Sequence, residues 1–178
     1  MKTLVAASAA AVLLLASGSA AYARQSAGDC AGQLQPNTSF ERGAAGWTAG
    51  PRMIVLGEQA HTGRAYATFG GLDVTRSDVL RATVPVPAGC KVTLSYWVRA
   101  TTTETASRDY LNVELAVTGV PPKTLISLNY TTPPQWQQRG GGWTAPTGGT
   151  ATVSFYGSES AGNGTTAFDV DDVTLTLS

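Results

Sequence analysis

The chain has 178 residues, with 12 basic and 12 acidic side chains, so its formal net charge is zero and only 13% of it is charged. No basic run or stripe is present, which argues against nucleic acid and anionic membrane surfaces as partners. The 20 glycines and 9 prolines, set among frequent Thr, Val and Ser, give an all-β composition.

The first residues read as a processing segment. Met1 and Lys2 give a short positive start, residues 4–16 form an apolar run, and Ala21-Tyr22-Ala23 is a small-x-small cleavage site. Residues 1–23 are therefore expected to be a signal peptide, and the product to be secreted and extracellular. No later apolar stretch is long enough to span a bilayer. Residues 24–33 read as a polar leader and residues 34–178 as one domain.

Within that domain short strands alternate with Gly and Pro turns. Residues 34–41 read as a first strand, followed by a Gly-rich turn and Trp47, which is assigned to the core. Strands follow over residues 53–56 and 65–69, with a turn around His61 between them; His61 reads as a solvated turn residue. Residues 79–86 are extended, and Pro85 limits them to a strand end or an edge. Residues 91–99 alternate most regularly: Val92, Leu94, Tyr96 and Val98 make one face, and Thr93, Ser95, Trp97 and Arg99 the other. Further strands cover residues 111–117, 124–129, 135–139 and 151–155. Many short strands with no helical periodicity predict an antiparallel β-sandwich of two sheets in jelly-roll order.

The closing stretch, residues 167–177, carries a break in phase. Phe168 and Val170 share one face, whereas Val173, Leu175 and Leu177 keep alternation on the opposite phase. One extra residue in a strand produces such a slip. Asp171 and Asp172 sit at it, where a charge near apolar surroundings is costly unless paired or placed on a cation.

Cys30 and Cys90 are the only cysteines. In an exported protein an even pair favours a disulfide, with two free thiols as the alternative. The bond would close a loop of about 60 residues, stabilising the fold by roughly 4 kcal/mol in the chain-entropy model.

An ordered series of short motifs runs through the chain: Asn37-x-x-Phe40-Glu41, Gly46-Trp47, His61-x-Gly63, Tyr96-Trp97-Val98 and Phe168-x-Val170-Asp171-Asp172-Val173. It resembles the carbohydrate-binding modules of bacterial cellulases and xylanases, within the galactose-binding-like jelly rolls. The part from Thr103 onward resembles accessory β-domains of secreted actinobacterial hydrolases. The resemblance implies a structural calcium joining the first strand to the last, with Glu41 and Asp171 or Asp172 as ligands. The plainer reading of these carboxylates is that they are solvated or paired with arginine.

A sugar ring presents a flat apolar face, so binding it calls for exposed planar side chains flanked by hydrogen-bonding groups. Trp97, on the non-core phase beside Arg99, is one candidate. Trp136 and Trp143 bracket Gln138 and Arg139, and Tyr110 is secondary; each could equally serve packing. Catalysis is not expected. His61 is the sole histidine, no Gly-x-Ser-x-Gly elbow occurs, and nothing pairs Glu104, Asp109, Glu114 and Glu159 as a hydrolase would require. Glu104 and Asp109 read as a solvated loop tip. The expected function is a secreted, non-catalytic module binding polysaccharide or glycan. The alternative is a protein-interaction or structural domain, such as an accessory to a secreted hydrolase partner.

Overall fold

The structure, a computed structural model, describes residues 30–178. The expected signal peptide and most of the leader lie outside the described residues. The strands are β1 (Gly32–Gln33), β2 (Thr48–Ala49), β3 (Ile54–Leu56), β4 (Ala65–Gly70), β5 (Arg76–Val86), β6 (Lys91–Thr102), β7 (Tyr110–Val117), β8 (Lys123–Leu128), β9 (Gln137–Thr144), β10 (Gly149–Glu159) and β11 (Thr166–Leu177). They form two antiparallel sheets packed face to face. The front sheet runs β3-β4-β11-β6-β9, with β1 on the end of β11, and the back sheet runs β2-β5-β10-β7-β8.

Strict alternation in the long strands builds the core. Val92, Leu94, Tyr96 and Val98 of β6 are buried, as are Leu111, Val113 and Leu115 of β7 and Val153 and Phe155 of β10. Tyr96 meets Phe155 edge to face across the two sheets, with ring centroids 5.2 Å apart. Each buried aliphatic or aromatic side chain contributes on the order of 1.5–3 kcal/mol by leaving water. Trp47 is buried as expected.

Cys30 and Cys90 form a disulfide, with Cα atoms 5.2 Å apart. It ties the start of β1 to the start of β6. The sandwich therefore begins inside the segment read from sequence as a leader, because Gly32 and Gln33 pair with Leu177 and Thr176.

The first strand differs from the sequence expectation. Only Gly32–Gln33 is a strand, and the segment after it is organised by buried amides. The Asn37 side chain donates to the carbonyls of Gly43 and Ala45, at 2.8 and 3.0 Å, and accepts from the Arg42 amide. The Trp47 indole donates to the Asn37 carbonyl at 3.0 Å. These side-chain bonds offer the backbone an alternative to a strand ladder, and Phe40 turns the chain at φ 57°.

β9 also extends further than expected, through Gly140, Gly141 and Gly142. A Cβ at Gly140 would collide with the Leu94 carbonyl, and one at Gly142 would lie 2.6 Å from that of Val92. Glycine lets β9 approach β6 this closely. It also leaves the strand bare of side chains opposite Ser95 and Thr93.

Candidate functional site

The phase slip in the last strand is a bulge. The β11–β6 register shifts between Asp171 and Thr174, and Asp172 turns the chain at φ 47°. The bulge returns Val173 to the core and points the two carboxylates at the turn between β3 and β4.

Both carboxylates, with Glu41, hold that turn. Asp171 accepts from the amides of His61 and Thr62, at 2.8 and 3.1 Å. Asp172 bonds the His61 ring at Nδ1, at 2.6 Å, and accepts from the Thr62 hydroxyl, also at 2.6 Å. Glu41 accepts from the amides of Arg64 and Ala65, at 2.8 and 2.7 Å. Those two donors hold the Glu41 carboxyl below its ordinary range. Asp171 is fully buried, and burial pushes its pKa up to about 6 against the pull of its amide donors.

His61 is thus not a solvated turn residue. Pinned through its backbone and its ring, it lies flat on Trp97, with ring centroids 3.9 Å apart and planes 17° apart. Trp97 and Asp171 are cross-strand neighbours, so one turn covers both. The sequence could not show this, because the contacts join positions more than a hundred residues apart.

Around this stack the remaining polar and aromatic groups interlock. Trp136 stands edge-on to His61 at 5.7 Å, and its indole donates to the Gln59 carbonyl at 3.2 Å. The Arg99 guanidinium lies over the Trp136 ring at 4.9 Å. It also donates to Asp169 at 2.8 and 3.0 Å and to the Gln59 side chain at 2.7 Å. Gln138 is exposed and donates to the Ser95 hydroxyl at 2.9 Å.

The outer face of the front sheet therefore has two parts. One is a raised, half-buried wall of His61, Trp97, Trp136 and Arg99. Beside it lies a polar floor of Thr93, Ser95 and Gln138, kept low by Gly140 and Gly142. Trp97 and Arg99, which alternation put on the non-core phase, are brought together with Trp136 and Gln138. Gln59 and His61 complete the group and were not foreseen.

Two candidates lie elsewhere. Trp143 pairs opposite the core-facing Val92, packs against the core and carries the Lys123 ammonium at 4.7 Å over its ring. It faces inward at the edge between the sheets because the three glycines do not change the alternation of β9. Tyr110 belongs to β7 of the back sheet, where its hydroxyl donates to the Ser107 carbonyl at 3.0 Å.

The carboxylates at the bulge offer a donor set made only of oxygen, and Asp171 forms no ion pair among the described residues. That chemistry suits a hard cation. Among the described residues, however, no three His, Cys, Asp or Glu side chains are grouped to hold a metal. Glu41, Asp171 and Asp172 meet through the turn they bind.

No family model matches the chain, and no curated protein matches it in sequence. Solved structures do match. A family 61 carbohydrate-binding module in complex with β-1,4-galactotriose superposes with a TM-score of 0.64, at 17% identity, over 83% of this chain and 99% of that one. A family 16 carbohydrate-binding module gives 0.56, at 18% identity, over 80% and 99%. The CBM22-1 xylan-binding domain from Paenibacillus barcinonensis gives 0.52, at 20% identity, over 79% and 91%.

The chain has the fold of these carbohydrate-binding modules. The expected jelly-roll sandwich is borne out along nearly the whole of each module. Segments of larger chains match too, including 27% of an α-L-arabinofuranosidase. Among the described residues no helix is long and apolar enough to cross a membrane.

Proposed function

We propose that the protein is a non-catalytic extracellular module that binds polysaccharide on the outer face of its front sheet. The observation that carries this reading is the aromatic wall beside a low polar floor. Trp97, His61 and Trp136 supply planar surface, and Ser95, Gln138 and Arg99 supply donors and acceptors at its foot. Carbohydrate needs both, an apolar face for its C–H groups and directed hydrogen bonds for its hydroxyls. Likeness in fold to modules that hold a galacto-oligosaccharide or are named for xylan supports the same class of ligand. The disulfide fits an oxidising location.

Affinity-gel retardation on β-1,4-galactan, xylan and other soluble glycans tests this. Retardation lost in Trp97→Ala and Trp136→Ala, and kept in Trp143→Ala, supports the reading.

Calcium at the bulge belongs to the same proposal. Glu41 and Asp171 would hold it, with carbonyl oxygens completing its shell, and its role would be to fix the His61 turn on Trp97. Removing it with chelator is expected to lower the unfolding midpoint, and Glu41→Gln is expected to reduce that difference.

One observation favours the protein-interaction reading. Leu56 is 77% exposed on the edge strand β3, at the rim of a cleft of about 460 Å³ lined by Phe40, Ala49 and Ile54. Absence of retardation on every glycan, with a partner protein recovered on that edge, would favour it.

A further inference from the structure

One end of the sandwich core closes on carboxylates instead of hydrocarbon. Asp78 of β5, Asp109 just before β7 and Glu159 at the end of β10 lie on the core-facing phase of the back sheet, and Glu104 follows β6 across from them. They are 5%, 1%, 2% and 7% exposed, respectively. Glu104 and Asp109, read from sequence as a solvated loop tip, are therefore interior groups. The Arg76 guanidinium pairs with Asp78; among the described residues the other three carboxylates form no ion pair.

Hydrogen bonds tie two of these groups, Asp109 and Glu104, to Thr166. Asp109 accepts from the amides of Ser160 and Thr166, at 2.8 and 2.9 Å. Glu104 accepts from the Thr166 hydroxyl at 2.9 Å. Glu159 uses only one of its oxygens: Oε1 accepts from the amides of Leu72 and Asp73, at 2.5 and 2.6 Å. Its Oε2 is fully buried and has no partner.

Gly70 packs against this carboxyl group and the last strand. A Cβ at Gly70 would stand 2.7 Å from the Thr166 carbonyl oxygen and 3.8 Å from the Glu159 carboxyl carbon. The Glu159 carboxyl and the Thr166 carbonyl therefore both lie against Gly70, where a side chain would collide with the carbonyl. A buried carboxylate oxygen with an empty acceptor position is costly, and a cation repairs it.

We infer that this end of the sandwich is a calcium site, built from Glu159 and Asp109 with the oxygens of Thr166. The donors are all oxygen, which excludes a preference for soft metals. They are irregularly placed and mix carboxylate with carbonyl and hydroxyl, which suits calcium better than magnesium. Among the described residues no three carboxylates converge on one point, so neutral oxygens and water would fill the remaining positions, as calcium allows. The ion would join the segment after β4, the segment before β7 and the β10–β11 connection. It is separate from the Glu41–Asp171 corner, and it does not depend on the polysaccharide reading.

The test is a titration of the disulfide-bonded protein, stripped with chelator, with calcium alone. Asp171→Asn removes the other corner and leaves this one. That variant is expected to keep one calcium, to unfold at higher temperature when calcium is present, and to shift the amide resonances of Leu72, Asp73 and Thr166 on binding. Adding Glu159→Gln or Asp109→Asn is expected to lower the affinity by at least about 10- to 100-fold.

The inference is overturned if Asp171→Asn binds no calcium, or if neither further substitution changes its binding. A Glu159→Gln protein as stable as its parent, with calcium binding intact, would overturn it as well. If the variants do not fold, the amide shifts of the unsubstituted protein decide. Shifts at Leu72, Asp73 and Thr166 support the site, and shifts confined to residues 61–65 refute it.

Discussion

His61 lies flat against Trp97, 3.9 Å between ring centroids, while its ring nitrogen holds Asp172 at 2.6 Å. One residue therefore fastens the β3–β4 turn to both the aromatic wall and the bulge of the last strand. Stacked aromatic pairs contribute about 0.5–1.5 kcal/mol beyond their buried area. His61→Ala is expected to cost at least about 1 kcal/mol in urea unfolding and to shift tryptophan emission to the red as Trp97 is uncovered. Unchanged emission would mean that Trp97 is shielded by something other than the turn.

Trp143 separates packing from binding. It faces inward under the Lys123 ammonium, so Trp143→Ala should destabilise the fold by about 2 kcal/mol or more, as large-to-small core changes do. Glycan retardation should be unaffected under native conditions. Denaturant unfolding and gel retardation on the same variant check both halves.

Tyr96 carries an orphaned polar group. The ring is fully buried against Phe155, and its hydroxyl has no hydrogen-bond partner. Burial holds its pKa well above the ordinary phenol range. A buried hydroxyl without a partner costs about 1–3 kcal/mol. Tyr96→Phe is therefore expected to leave stability unchanged or raise it by about 1 kcal/mol. A clear loss of stability would reveal a partner for the hydroxyl.

The Cys30–Cys90 disulfide spans a sequence separation of 60 residues. A loop of that size stabilises by roughly 4 kcal/mol in the chain-entropy model. Replacing both cysteines by serine should lower the urea midpoint accordingly and fray β1 from β11 first. Hydrogen exchange at Leu34, whose amide donates to the Leu175 carbonyl at 2.7 Å, reports that fraying.

Period-two alternation made much of the fold readable in advance. It separated Trp97 and Arg99 from Val92 and Tyr96, and the break at Asp171-Asp172 marked the bulge before its geometry was known. Alternation says nothing about what a distant turn lays on a face, so the His61 stack and Gln59 were missed. It also fails where side chains replace the ladder, as Asn37 does after β1. Glu104 and Asp109 were misplaced for a related reason. Polar residues near a loop read as solvated, yet at the end of a sandwich the core-facing phase continues past the last apolar residue and buries them.

Retardation of the wild-type protein and of Trp97→Ala in gels containing β-1,4-galactan or xylan is the most direct test of the front-sheet binding face. Slowed migration of the wild type, lost in Trp97→Ala while its unfolding remains cooperative, is the expected result. Equal retardation of the two, or free migration of the wild type on every glycan, would contradict a polysaccharide site built on Trp97.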